Sequence, residues 1–282
     1  MSTKFTHTWE QAVRWLREQP EKQELVRCCY YDDPLELAAE RFSNSEEWLA
    51  VKNLLSQYIP GKVLDLGAGR GISSYAFAKL GCSVTALEPD SSPLVGAQAI
   101  QSLVDSTQLP IQIIQEYGET LPFEDNTFDI VYGRAVLHHA QDLKRLCQEA
   151  ARVLKPGGVL IATREHIISK KEDLPLFLAS HPLHFLYGGE NAYLLQEYLE
   201  AIETARLKLQ KAIAPFDSVI NYAPMTQQDF SNLIKSVLAP IIGDKLGNWL
   251  ANNETLQKFC GWYQSQKSDT PGRHYSFIAI KP

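Results

Sequence analysis

An apolar run passes straight into a cluster of glycines at Val63-Leu64-Asp65-Leu66-Gly67-Ala68-Gly69-Arg70-Gly71, and no other segment restricts the fold as much. A run of strand length, a glycine turn and then a helical pattern over about 72–80 make a β-turn-α unit. Gly81 ends the helix and residues 83–88 read as the next strand. A strand, crossover helix and second strand imply a parallel sheet with right-handed connections. The glycines let the backbone turn sharply and leave room for a ligand against it. The N–H groups opening the next helix can meet a carboxylate or bound water. The spacing is G-x-G-x-G, not the G-x-G-x-x-G of a dinucleotide fingerprint, and no Walker Lys-Ser/Thr pair follows. Glu88 ends the second strand, where a carboxylate can take two ribose hydroxyls; the plainer alternative is a solvated strand-end acid. Asp90 reads as its neighbour or as a helix cap.

The remaining elements extend this unit. Residues 1–59 read as an N-terminal helical cap: a helix over 8–27 broken at Pro20, a helix to Arg41 capped by Asp32-Asp33-Pro34, and a third over 45–58. Residues 60–166 read as the core, with further strands at 112–115, 128–131 and 159–163 and helices at 91–106 and 142–154. In 167–282 the pattern predicts a loop with short helical pieces (167–193), a helix over 191–204, a strand at 207–212, a helical insert (226–266) and a last strand at 274–280. The expected fold class is therefore α/β. A single seven-stranded sheet with helices on both faces explains the chain better than two domains.

Charge and cysteine usage narrow the function. There are 27 Lys and Arg against 33 Asp and Glu, a formal net charge of −6, and no basic stripe breaks the balance. This argues against nucleic acid as a partner, because a phosphate path needs gathered cations. Cys28, Cys29, Cys82, Cys147 and Cys260 are odd in number and fit no metal spacing, which points to a reducing compartment. The first residues carry no apolar signal segment, and apolar stretches such as 159–162 and 237–242 are too short to cross a membrane. A cytoplasmic protein with no membrane partner is the expectation. A monomer and a homodimer both remain open, since an apolar face on the N-terminal helices or on 226–266 could serve either association or pocket closure.

Four segments in order, VLDLGAGRG (63–71), ALEPD (86–90), YGETLPFEDNTFDIVYGRAVLHH (117–139) and EAARVLKPGGVLIATREH (149–166), resemble the class I S-adenosylmethionine-dependent methyltransferases, specifically their broad type 11 branch. The resemblance covers roughly residues 60–166. It implies a Rossmann-like, mostly parallel sheet whose last strand inserts antiparallel beside the fifth, with S-adenosylmethionine as cofactor and S-adenosylhomocysteine as product. It implies that Asp65, Gly67, Ala68 and Gly69 border the methionine end, that Glu88 holds the ribose with Pro89 beside it, and that Tyr117, Gly118 and Glu119 line the adenine. Arg134 would approach the methionyl side or the acceptor. Relatives commonly carry Gly-Asp where Glu116-Tyr117 stand here, so adenine would meet Glu116 or Glu119, or stack near Tyr117.

The acceptor is expected above the C-terminal strand ends. His138 and His139 follow the fourth strand, and adjacent residues on a regular element cannot both point the same way, so one would face the pocket and the other pack. His138, His139, His166 and Tyr30 are the candidate catalytic residues, imidazole being suited to proton transfer near neutrality. Tyr30 and Tyr31 could equally be packing residues. The segment HPLHFLYGGENAY gathers His181, His184, Phe185 and Tyr187 before Gly188-Gly189, which could hinge a cover or form a rigid surface loop. His181 and His184 could join Glu165 or His166 on a metal, but Pro182 interrupts them and no ligand pattern is present, so no metal site is expected. The leading function is methyl transfer to a small molecule. An RNA or protein acceptor is weakened by the acidic charge and by YGRAVLHH standing where many base N-methylating relatives have Asn/Asp-Pro-Pro-Tyr. A non-catalytic binding protein on the same fold is the other alternative, and a nicotinamide oxidoreductase is disfavoured by the glycine spacing.

Overall fold

Lys62–Leu66 forms strand β1, and its residues after Lys62 are all buried, as a central parallel strand covered on both faces requires. A computed structural model describes residues 5–282. β1 pairs in parallel with β2 (Ser83–Leu87) on one side and with β4 (Phe128–Arg134) on the other, and β3 (Ile111–Ile114) lies outside β2. Beyond β4 come β5 (Leu154–Ile168), then β8 (Arg273–Ile280), then β7 (Lys208–Ile213), giving the order β3-β2-β1-β4-β5-β8-β7. β8 runs antiparallel to both neighbours, with Ala162 of β5 and Ala212 of β7 both opposite Phe277. The chain winds outward in opposite directions from β1 and β4, so a crevice opens beyond their carboxyl ends, where open α/β sheets take ligands.

Two apolar layers sandwich the sheet. On one face Trp48 packs edge-on against Phe77 and Tyr132, and Phe42 continues the stack into the N-terminal helices. Each of these rings is almost wholly buried, and truncating one to alanine costs about 3–5 kcal/mol. On the other face the helix Leu143–Val153, capped by Asp142 accepting from the Arg145 N–H at 2.9 Å, packs with Tyr198 and Phe277. A third cluster joins Ala12, Val13, Leu16 and Val26 to Val95, Leu183 and Leu186. It lays the first helix (Trp9–Arg17) over the crevice side of the molecule.

Several boundaries differ from the expectation, each for a local reason. Asp32 and Asp33 do not cap a helix. Pro34 occupies the cap of Leu35–Ser43, while Asp32 pairs with Arg41 and Asp33 with Arg17 and Arg70. The helix expected from 91 starts at Ala97, because Asp90 accepts from the Ser92 N–H in a turn of its own. The stretch 191–204 becomes helix only at Leu195, since Tyr193–Leu194 makes a two-residue strand, β6, against Ile167–Ile168. That short strand is the eighth, added to the seven expected. β5 is far longer than 159–163. It passes a bulge between Ala162 and Glu165, with Arg164 at φ +60, and continues to Ile168. The insert is three helices, Gln227–Ile242, Asp244–Ala251 and Glu254–Lys267, which expose Val237, Ile241, Trp249 and Trp262. No helix among the described residues is long and apolar enough to cross a membrane.

Candidate cofactor and acceptor site

Gly67, Gly69 and Gly71 all take positive φ (+56, +56 and +80), which turns the end of β1 back towards the helix Ile72–Lys79. At Gly67 a Cβ would stand 2.8 Å from Val136 Cγ2, so this glycine is also sterically required. Around Gly69 an added Cβ would find nothing closer than 4.0 Å, so the space over the loop is open. The Ala68 N–H donates to Leu87 O, tying the loop to the end of β2. There Glu88 Oε2 accepts from the Gly69 N–H at 2.7 Å and Oε1 from the Asp90 N–H at 2.9 Å. An ionised carboxylate has about four lone-pair positions, so about two remain for ligand hydroxyls. Burial pushes the Glu88 carboxyl up to about 7, against the opposing pull of its two backbone donors.

Asp65 lies beneath the loop. Its carboxylate accepts from the Ser74 hydroxyl at 2.6 Å, and burial pushes it up to about 7. Arg70, which the sequence reading passed over, is 6 % exposed and donates to Tyr30 O, Asp32 O and Asp33. Its Nε, and Ser92 Oγ beside the Glu88 corner, are buried without a hydrogen-bond partner among the described residues. An open glycine cradle, a ribose-type carboxylate and two unpartnered polar groups fit a nucleoside ligand with a charged tail.

Of the residues expected at the adenine and methionyl ends, Arg134 is engaged elsewhere. Tyr117 is exposed, Gly118 sits tight against Leu146, and Glu119 Oε1 accepts from the Gln141 N–H. Pro89 is exposed at the corner after β2. Arg134 does not reach freely into the crevice. Its Nε and Nη2 grip Glu47 at 2.6 and 3.0 Å, and its guanidinium lies over the Tyr30 and Phe42 rings. Burial would raise the Glu47 carboxyl, but Arg134 and then Arg164 hold it below the usual carboxylate range. Tyr30 accordingly belongs to the cap packing. It walls a cavity of about 180 Å³ with Arg27, Cys28, Arg41, Arg134 and Arg164, apart from the histidines.

The other three catalytic candidates do come together. The bulge in β5 turns Glu165 inward, wholly buried, to accept from the Val136 and His138 N–H groups and to meet His138 Nδ1 at 2.8 Å. Burial pushes Glu165 up to about 7, although those backbone donors favour its charged form. His138 is 1 % exposed, and burial, then His139 and His166, hold its imidazole well below the usual range. His139 stands exposed beside it, with ring centroids 4.2 Å apart, and His166 lies 4.5 Å from His138 on the other side. His181 meets Glu190 and His274 lies 4.9 Å from His166, so five of the seven histidines form one connected cluster. Glu190 and His274 were missed by sequence reasoning. For Glu190 the available signal was its place directly after Gly188-Gly189, opposite the histidines of HPLH. That glycine pair is closely packed: an added Cβ would strike Phe5 at Gly188 and the Tyr187 ring at Gly189. His184 packs on Phe5, and Tyr187 on Trp9.

A family profile described as a methyltransferase domain matches residues 64–162. The ubiquinone biosynthesis O-methyltransferase of Xanthomonas campestris pv. campestris (strain B100) is 36% identical over 160 residues, 54% of this chain and 65% of that protein. The protein of that name from Rhizobium rhizogenes is 29% identical over 136 residues, 47% of this chain and 52% of its own length. The chain thus spans about half the length of several curated relatives it matches. The solved geranyl diphosphate C-methyltransferase from Streptomyces coelicolor A3(2) aligns over 95% of this chain and 88% of its own, with a TM-score of 0.56 and 14% identity, a likeness of fold. Profile, relatives, sheet order and glycine loop agree on a class I S-adenosylmethionine-dependent methyltransferase domain, matched over residues 64–162.

Proposed function

We propose that the protein transfers a methyl group from S-adenosylmethionine to a small, partly apolar acceptor. The observation that carries this reading is the corner where Glu88 accepts from the Gly69 N–H over an open, positive-φ glycine loop at the switch point of the sheet. When bound, S-adenosylmethionine would supply a methyl carbon on a sulfonium, open to attack by the acceptor opposite the C–S bond, with S-adenosylhomocysteine as the leaving group. The protein's share is mostly positioning. Gly67, Ala68 and Gly69 leave room for the cofactor, Glu88 with Pro89 holds its ribose, and Tyr117, Gly118 and Glu119 border its adenine. Asp65 braces the loop through Ser74, and Arg134 braces the cap through Glu47. The cap (1–59) and the segment 167–193 exclude water from the acceptor, which strengthens every polar contact inside. His138, oriented by Glu165, with His139 and His166 beside it, is placed to handle the acceptor's proton.

The O-methylating relatives support a hydroxyl-bearing acceptor, and the acidic charge of −6 supports a small molecule over RNA. The five free cysteines support a reducing, cytoplasmic setting. Calorimetric titration with S-adenosylmethionine should show binding. A screen of small hydroxyl and thiol compounds should then release S-adenosylhomocysteine. A folded protein that neither binds the cofactor nor carries it through purification would sink the reading.

A further inference from the structure

The acceptor cleft holds more imidazoles than proton transfer requires, and they converge on one carboxylate. His138 Nε2 stands 3.8 Å from Glu190 Oε2, and His181 Nε2 stands 3.5 Å from Glu190 Oε1. Ligand atoms of His138, His139 and Glu190 all lie within 4.8 Å of one another, as do those of His166, His181 and Glu190. Two ligand atoms on a tetrahedral zinc-sized ion are about 3.4 Å apart, so the first trio needs little contraction to close on a cation.

The opposite ring nitrogens say which atoms are available. His138 Nδ1 meets Glu165 at 2.8 Å, His139 Nδ1 meets Gly189 O at 3.0 Å, and His166 Nδ1 meets Gly272 O at 2.8 Å. A carbonyl can only accept, so it fixes the N–H at Nδ1 of a neutral ring and leaves a lone pair on Nε2. Histidines that bind metals are held in this way by an oxygen behind the ring. The His139 and His166 rings thus carry their protons on Nδ1, and an ionised Glu165, which can only accept, sets His138 the same way. Tyr187 donates its hydroxyl to Glu190, which orients the carboxylate without filling the gap to His138.

We propose that His138 Nε2, His139 Nε2 and a Glu190 oxygen bind one divalent first-row transition ion of the zinc or iron(II) class, with His181 and Tyr187 holding the other Glu190 oxygen. Two imidazoles and one carboxylate suit such an ion better than magnesium or calcium, which prefer oxygen alone. Three protein ligands leave positions open to the acceptor. The ion's role rests on the methyltransferase reading; its binding does not. There it takes over from His138, whose Nε2 it occupies, and activates the acceptor by lowering the pKa of its hydroxyl or thiol. The proton passes to solvent, and the new O–C or S–C bond forms as the C–S bond of the sulfonium breaks.

The test uses the full chain stripped with a chelator. Titration with Co²⁺, followed by its visible d–d bands, and with Zn²⁺ by calorimetry should give one ion per chain. Glu190→Gln and His139→Ala should each weaken uptake by at least about tenfold. His139 is exposed, so its alanine variant keeps the fold even where a change at Glu190 does not. Titration of the same metal-free samples with S-adenosylmethionine separates the two ideas, because neither variant touches the Glu88 corner. Cofactor binding without metal uptake overturns the ion alone. Metal uptake that His139→Ala leaves unchanged does so too. Metal uptake without cofactor binding overturns the methyltransferase reading and keeps the site.

Discussion

Replacing Glu88 by glutamine keeps the side-chain volume and changes only charge and donor pattern. Both carboxylate oxygens already take backbone donors, Gly69 N–H at 2.7 Å and Asp90 N–H at 2.9 Å. A glutamine amide has one accepting oxygen, so its NH₂ must face one of these N–H groups. One bond is lost, two donors oppose each other, and the hydroxyls of a bound ribose meet a neutral partner. Hydrogen bonds to charged groups contribute about 1.5–3 kcal/mol, so S-adenosylmethionine should bind Glu88→Gln about 10- to 100-fold more weakly. The wild type should also show a pH signature. Its carboxyl is pushed up to about 7 by burial, so below that pH the free protein holds a proton on an oxygen the ligand needs. Affinity should fall about tenfold per pH unit below about 7 and level off above it, while the variant stays flat. Calorimetric titrations at roughly pH 6, 7 and 8 measure both effects. A variant that binds within threefold of wild type, or a wild-type affinity independent of pH, would refute the assignment of Glu88 to the ribose.

Three further substitutions probe the frame. Arg134→Ala strands Glu47, which is 2 % exposed, without its bidentate partner, and should cost about 3–5 kcal/mol, seen as a melting temperature lower by roughly 10 °C. The double change Arg134→Met with Glu47→Leu should recover most of that loss; no recovery would mean the pair is not what holds the cap. Gly67→Ala combines φ +56 with a methyl 2.8 Å from Val136 Cγ2 and should destabilise by about 1–3 kcal/mol while weakening cofactor binding; an unchanged melting curve would show the loop to be looser than described. Asp65 is raised from 3.8 to about 7, chiefly by burial, so the native state keeps a proton that the unfolded chain has released. Its contribution to stability should decline as pH rises from about 4 to about 7, by up to 1.4 kcal/mol per unit, and Asp65→Asn should remove that slope in urea unfolding. Parallel curves for the two proteins would contradict it.

The parallel half of the sheet was legible because its signals are local. β1 is an apolar run ended by a glycine turn, β2 begins just after the helix stop at Gly81, and the helix Leu143–Val153 announces itself through Asp142 and its apolar stripe. What stayed hidden depends on distant partners. β5 reads as five residues because its apolar run stops at Thr163. Its extension to Ile168 is held by Arg273–Tyr275 of β8 and by β6, more than a hundred and about twenty-five residues away. Asp32-Asp33-Pro34 has the composition of a helix cap, yet the aspartates are claimed by Arg41, Arg17 and Arg70, two of them on other elements. A local capping preference of about 1 kcal/mol loses to a charged partner already fixed by the fold.

The same contrast divides the site. The place of Glu88 was readable because a strand end after a glycine loop determines it. Arg134 was misplaced for the opposite reason. It ends β4 beside the crevice, as expected, but its side chain answers to Glu47, eighty-seven residues earlier. The histidines show how a cluster escapes a search for spacing. His138 and His139 arrive on the turn after β4, His166 on a strand extension that exists only because of the bulge, and His181 with Glu190 on the segment that packs beneath the first helix. No interval among them resembles a ligand motif, and Pro182 argues against one. Their convergence follows from the bulge at Arg164, which turns Glu165 inward to orient His138 and sets His166 beside it. Straightening that bulge should therefore disturb the histidine cluster and leave the Glu88 corner intact, because Glu88 is held by the Gly69 and Asp90 N–H groups at the end of β2 while His138 is held by Glu165 of β5.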